Sequence, residues 1–386
     1  MDLAEYQKIN AIIARDSADA TYKYALLRGV IEVCQQSLHL EEADPDRPDR
    51  LWFPLGLLIE KWILYYYPIF AAPTFIPQKN GETRDQESGK NVSFRRHFIP
   101  VIEYYRERGG ISVFYNDYFR GRIPDEIQPD FLTLVRAIRT TITGMPMKHL
   151  GYSQSGEHYS VFDFDRPLPR LSGGRPIDRI FLIEHAGRFS LSRELCTIFS
   201  YFGSFISGDE CLLRKWAAFT AGADRTQTVS EEFMFSLLSE TPTTERAIAD
   251  AQRIYRSALD GGGGLRCVWS GRAIPSASEM HIDHLLPFSI WKNNDLWNLL
   301  PALSSVNAKK SDRIPDPSFL KRRKEEIIGC WDLLHDPLPR RFEEEVRISL
   351  IGPHAPWSDW QDLAIEHLAD KCRYLIEIRG NEAWAL

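Results

Sequence analysis

The informative segment of this chain reads His281-Ile-Asp283-His284-Leu-Leu-Pro287, then Asn294-Asp-Leu-Trp-Asn298-Leu-Leu-Pro301, then Asn307-Ala-Lys-Lys310-Ser-Asp-Arg-Ile-Pro315. Asp283 and His284 stand at the end of a run with strand character, so their side chains leave the backbone on opposite sides. One of them can then bind a metal while the other addresses water. Hard divalent cations take oxygen ligands, and histidine is matched to proton abstraction near neutral pH. Hydrolysis of a phosphodiester needs both: charge neutralisation at the phosphate and a base for the attacking water.

Asp-His, Asn-Leu-x-Pro and Asn-x-x-Lys in that order, between positions 283 and 310, resemble the HNH (ββα-metal) nuclease family. The resemblance covers only about fifty residues of 386. It implies a β-hairpin from about 273 to 302 followed by a helix from about Ser304. Within it Asp283 is the first metal ligand, His284 the general base, Asn298 the brace of the loop that orients the histidine, and Asn307 the second protein ligand. Lys310 falls at the family's basic position, where a phosphate contact is expected. Two protein ligands leave coordination sites for water and substrate, as Mg²⁺ prefers and Mn²⁺ tolerates.

The chain departs from the family at one feature. Many such modules carry two cysteine pairs around a structural zinc. Here Cys267 is followed by Ser270, and Leu303 and Val306 occupy the places of the other pair. No structural zinc is expected, and Trp269, Leu286, Leu300, Leu303 and Val306 must hold the unit together instead.

Charge is uninformative globally and informative locally. The whole chain carries 47 basic and 53 acidic residues, a net charge of -6. From Arg266 to Lys324 there are ten Lys or Arg against five Asp or Glu, which favours a nucleic-acid partner for that segment. Lys309, Lys310, Arg313, Lys321, Arg322 and Arg323 are the candidate contacts, with DNA a better match than RNA. The run Lys321 to Lys324 is open to two readings: phosphate contacts, or a solvated helix face balanced by Glu325 and Glu326.

With 44% hydrophobic and 12% aromatic residues the chain can bury a substantial core, so wholesale disorder is excluded. The expected class is mainly α with a small α+β part. Four regions are expected: helical 1–150, mixed strand and helix 151–260, the nuclease module 265–316, and a helical extension 317–386. Helices are predicted over the first 40 residues, 55–67, 93–108, 127–142, 191–205, 209–221 and from Pro242 to near Leu259, capped by Thr243 or Thr244. Residues 158–165 and 179–183 read as short strands, 41–50 and 78–91 as polar breaks, and Gly261 to Gly264 as a boundary. Residues 51–70 are broken by Pro54, Glu60, Lys61 and Pro68, which fits a buried amphipathic helix and no membrane span. Six scattered cysteines without a CxxC pair, and no basic apolar leader, predict reduced thiols in the cytoplasm.

Other residues carry two readings each. His281 is an extra ligand or a packed or surface histidine. Trp291 and Trp297 stack bases or belong to the core. Arg95-Arg96-His97 with Lys79 is a second basic contact or a solvated helix start, and Glu184-His185 lacks anything that completes a site. Thr21–Leu27 and Leu212–Trp216 look similar to segments that precede HNH modules in bacterial nucleases of restriction and phage defence. The whole therefore reads as a metal-dependent endonuclease. The rivals are an effector gated by a ligand or protein, and a silent nucleic-acid-binding protein. A homo-oligomer is compatible with cutting both strands.

Overall fold

The computed structural model describes residues 19–84, 90–150, 161–207, 212–242 and 247–386. The chain divides into two compact units, Met1–Thr243 and Thr244–Leu386. It is mainly helical with a few small sheets, as the composition and periodicity predict. Among the described residues no helix is long and apolar enough to cross a membrane. Of the expected elements, residues 1–18, 85–89, 158–160, 209–211 and 243–246, with the caps Thr243 and Thr244, lie outside the described residues.

The first unit is organised around the helix Leu55–Ala71. Leu55, Leu58, Ile59, Trp62, Ile63 and Tyr66 of this helix are buried, and so are Leu57, Tyr65, Tyr67 and Ile69. The helix is thus enclosed on nearly all sides and continues through Pro68. Its acid is compensated inside: Glu60 accepts from Tyr118 Oη at 2.9 Å and faces Arg179 Nε at 3.2 Å. Such pairing is what makes a buried carboxylate tolerable. Around it lie helices Tyr22–Gln36, Arg95–Arg106, Gln128–Gly144, Arg193–Ser207 and Leu212–Ala223, near predicted spans, and Gly110–Phe119, which no predicted span covers.

Two local expectations are corrected. Residues 179–183 are not a strand: Arg179–His185 is a helix, because Asp178 Oδ1 accepts from Phe181 N–H at 2.8 Å and caps its first turn. Its apolar run Phe181-Leu182-Ile183 is buried, which a helix against a partner achieves as well as a strand. The segment 41–54 is not merely a polar break. β1 (Glu42–Ala43) and β2 (Arg50–Pro54) join β3 (Asp163–Phe164) and β4 (Arg188–Ser192) in an antiparallel sheet of order β1-β2-β4-β3. The register runs from Arg50 opposite Ser192 to Pro54 opposite Arg188.

The second unit has its own core. Ala251, Ile254 and Tyr255 of helix Ala249–Asp260 share it with Trp269, Leu286, Leu300, Trp331, Phe342 and Leu368. The glycines 261–264 therefore lie within one packed body. β5 (Met280–His284) pairs antiparallel with β6 (Leu299–Leu303), Asp283 opposite Leu300 and His284 opposite Leu299. Helix Ser304–Lys310 follows directly. Then β7 (Ile314–Pro315) pairs in parallel with β8 (Ala383–Trp384), so the last residues of the chain close beside the module.

Gly56 is a close-approach position in the first unit. An added Cβ would stand 2.1 Å from the Leu182 carbonyl oxygen. Gly56→Ala is expected to cost about 3 kcal/mol by overpacking, while Gly222→Ala, in a helix with open space at that point, is neutral or stabilising. Thermal denaturation of the two variants checks this.

Candidate active site

The hairpin presents Asp283 and His284 at the end of β5, and the helix that follows β6, which also carries Asn307, returns Lys310 to them. Asp283 is 4% exposed. Its Oδ2 accepts from Trp269 Nε1 at 2.6 Å and its Oδ1 from Lys310 Nζ at 3.2 Å. Lys310 is fully buried, and it also donates to the His284 carbonyl oxygen at 2.7 Å. Burial pushes the Asp283 carboxyl above the usual carboxylate range while Lys310 opposes that shift; burial likewise lowers the Lys310 ammonium. The pair is compensated and hydrogen-bonded, the condition under which two charges can be buried at all.

This placement corrects one expectation. Lys310 does not reach a surface where phosphate would meet it; its ammonium is spent on Asp283 and on the strand end. Asn307 lies three residues before Lys310 on the same helical face, half-buried, and no side-chain hydrogen bond occupies it among the described residues. Each carboxylate oxygen accepts more than one bond, so Asp283 keeps lone pairs beside its two donors. The available set is therefore one carboxylate and one amide oxygen, hard donors that fit a divalent cation with open positions.

His284 is 2% exposed, its Nε2 lies 3.2 Å from Asn294 Oδ1, and its ring stands 5.3 Å from Phe288. The loop between the strands is closed by Asn298, which is fully buried. Its Oδ1 accepts from Leu286 N–H at 2.7 Å, and its Nδ2 donates to Leu286 O at 3.1 Å and Asn293 O at 3.2 Å. A single amide thus ties the residue two beyond the histidine to the far side of the loop.

Further support comes from Trp269, expected in the apolar frame, and from residues the sequence did not single out. Trp269 is placed by Val268 N–H bonding Pro301 O at 3.0 Å and by a tight turn at Gly271, where φ is 67°. A left-handed residue there suits glycine. Its ring packs on Phe319 and on Trp384 of β8, centroids 6.2 and 5.4 Å away. On the other side of the loop, Asp295 Oδ2 accepts from Asn293 Nδ2, Trp297 Nε1 and Ser349 Oγ at 2.7, 2.9 and 2.6 Å. Leu296 N–H donates to Glu345 Oε2 at 2.5 Å, and Arg341 Nε to Glu345 Oε1 at 2.6 Å. Burial and the nearby Asp295 push the Glu345 carboxyl up to about 8, against the pull of Arg341.

The remaining candidates scatter by role. Lys309 is exposed, and no side-chain partner holds it among the described residues. Arg313 turns back onto the carbonyls of Lys309 and Lys310 at the helix end. Lys321 bridges Glu366 at 2.6 Å, Arg323 bridges Glu326 at 2.8 Å, Arg322 reaches Ser318 Oγ at 3.3 Å, and Lys324 pairs with Asp362. The basic run is thus partly neutralised, largely by acids of helix Trp360–Arg373. His281 is exposed, Trp297 is core, and Trp291 is half-buried with Lys371 over its ring at 5.2 Å. Cys267, Leu303 and Val306 are all buried in the core.

The family model described as HNH endonuclease matches residues 267–316, the stretch that holds this hairpin and short helix, so the second unit contains an HNH domain. A second family model, a domain of unknown function (DUF8808), matches residues 2–238. The chain belongs to that DUF8808 family, and its match coincides with most of the first unit. No curated protein and no solved structure matches the chain.

Two measurements follow from the buried groups. Lys310→Met strips the Asp283 carboxylate of its counter-charge and is expected to cost about 3–5 kcal/mol, read by chemical denaturation in EDTA. Glu345 holds a proton in the folded chain, at about 8 against an ordinary 4.5, that the unfolded chain releases earlier. Its contribution is therefore full below pH 4.5 and is lost as pH rises toward 8. The melting temperature is expected to fall across that window, with a shallower fall in Glu345→Gln.

Proposed function

We propose that this chain is a divalent-metal-dependent endonuclease that hydrolyses phosphodiester bonds in nucleic acid, DNA in the first instance. The observation that carries this reading is a carboxylate and an imidazole at the end of β5, with the Asn307 amide one helical turn before the lysine that grips that carboxylate. Asp283 and Asn307 would hold Mg²⁺ or Mn²⁺, which when bound supplies charge neutralisation at the scissile phosphate and the leaving oxygen.

The chain's own residues do the rest. Asn294 Oδ1 only accepts, so His284 Nε2 carries the ring hydrogen toward it, and the proton of the attacking water goes to Nδ1. Asn298 keeps that ring in place by fixing the loop on both sides. Lys310 keeps Asp283 ionised and aimed, a task its buried ammonium performs without touching substrate. Lys309 and Arg313 flank the site where backbone phosphates would lie, with Lys321, Arg322 and Arg323 further along. Phosphate contacts of this kind set register without reading sequence, so target choice would fall to the first unit. The role in bacterial restriction or phage defence, the cytoplasmic setting and assembly into a homo-oligomer belong to the same reading and rest on the resemblance and on chain chemistry.

One observation favours a second, gated reading. His284 is 2% exposed beneath Phe288 and Asn294, so water and phosphate reach it only when the segment 287–294 moves. A ligand or protein that favours the open form would switch cleavage on.

The test is a plasmid-cleavage assay with the purified chain in Mg²⁺, Mn²⁺ or EDTA. Cutting is expected with either metal and is abolished by EDTA. His284→Ala is expected to lower the rate by about 10²- to 10⁴-fold with its melting temperature preserved. Full activity of that variant would refute the assignment of the base.

A further inference from the structure

The HNH match ends at residue 316, yet the loop that carries Asn294 and Asn298 is anchored from beyond it. We propose that Glu345 and Ser349, in the C-terminal region, are positioning residues for His284. The proposal rests on the reading of His284 as the base.

The loop has little to hold it by itself. Between β5 and β6 it passes through a short helix, Phe288–Trp291, a left-handed residue at Lys292 with φ 51°, and one 3₁₀ turn, Leu296–Asn298. A left-handed lysine carries a backbone cost that something else must offset. Leu296 N–H lies at the start of the 3₁₀ turn, where helix geometry leaves donors without internal partners. Glu345 Oε2 accepts it at 2.5 Å. One residue earlier, Asp295 gathers the Asn293 and Trp297 side chains, and Ser349 Oγ completes that set at 2.6 Å. Arg341 then joins Glu345 to Asp250 of helix Ala249–Asp260 at 2.9 Å, and Trp331 Nε1 donates to Trp297 O at 2.8 Å.

The consequence runs inward by two bonds. Asn293 and Asp295 flank Asn294, whose Oδ1 meets His284 Nε2, and the backbone carbonyl of Asn293 is one of the groups that Asn298 grips. Shifting residues 293–296 shifts both. The alternative is a purely stabilising role, and the chemistry argues against it. Asp295 is buried and Glu345 half-buried beside it, and the nearness of Asp295 adds to the cost of ionising Glu345. An apolar pair of similar volume would stabilise the helix contact at least as well. What two acids supply and an apolar pair does not is directed acceptors for Leu296 N–H and for the Asn293, Trp297 and Ser349 donors.

The experiment compares the full chain with Glu345→Ala, Glu345→Gln and Ser349→Ala by amide hydrogen exchange, and by cleavage kinetics on a DNA duplex with Mg²⁺. Gln keeps an oxygen acceptor for Leu296 N–H, and Ala does not. In Glu345→Ala, peptides from 285–298 are expected to exchange about tenfold faster, while those from β6 and helix Ser304–Lys310 keep their protection. Its kcat is expected to fall about 10- to 100-fold with KM within about twofold, and Glu345→Gln to recover most of that loss. Unchanged exchange in 285–298, equal losses in Ala and Gln, or an effect confined to KM would overturn the proposal. A wild-type chain that cuts no nucleic acid speaks against the nuclease reading, and the exchange comparison then still decides whether Glu345 holds the loop. Ser349→Ala removes a single hydroxyl donor and carries the same comparison if Glu345→Ala fails to fold.

Discussion

A carboxylate withdrawn from water and shared between an ammonium and an indole is the constraint around which the second unit is built. Asp283 belongs to β5, Lys310 to the helix after β6, and Trp269 to the turn that precedes the hairpin. An unpaired carboxylate at this depth would cost several kcal/mol, so the fold that brings these three pieces together is the one that can bury it. The same geometry aligns Asn307 with Lys310 and sets the His284 carbonyl on the lysine. Structural economy and candidate chemistry therefore share one group of atoms.

An apolar frame packs around that group. Leu303 and Val306 fill the core where a cysteine pair would stand, and Trp269 packs with Phe319 and Trp384. Trp384 comes from the last strand, β8, paired to β7. A module of about fifty residues buries little surface by itself; here helix Ala249–Asp260 and the C-terminal helices enlarge its core.

Asp283, His284, Asn298 and Asn307 each belong to a short motif, and they lie on the strand, the 3₁₀ turn and the helix of the stretch that the HNH family model matches. The side chain of Asn298 in particular joins the two ends of its loop. Trp269 was expected in the apolar frame but not as a donor to Asp283, and Glu345 and Ser349 were not legible, since these partners are 14, 49 and 54 residues distant and no periodicity marks them. Lys310 was misread because basic character in a sequence does not reveal burial. The helix at Arg179–His185 was read as a strand because a short apolar run suits both, and only the Asp178 cap separates them. β2 and β4 escaped notice because their pairing joins segments far apart in the chain, the bond from Arg50 Nε to Ser190 Oγ spanning 140 residues.

Direct binding of Mn²⁺ tests the centre of this account most closely. Titration of the purified chain, followed calorimetrically or by the electron paramagnetic resonance of the free ion, is predicted to reveal one site. Asn307→Ala should weaken it by at least about tenfold while the far-ultraviolet circular dichroism and melting temperature stay unchanged. Equal affinity in the two proteins would contradict the assignment of Asp283 and Asn307 as the metal-holding pair.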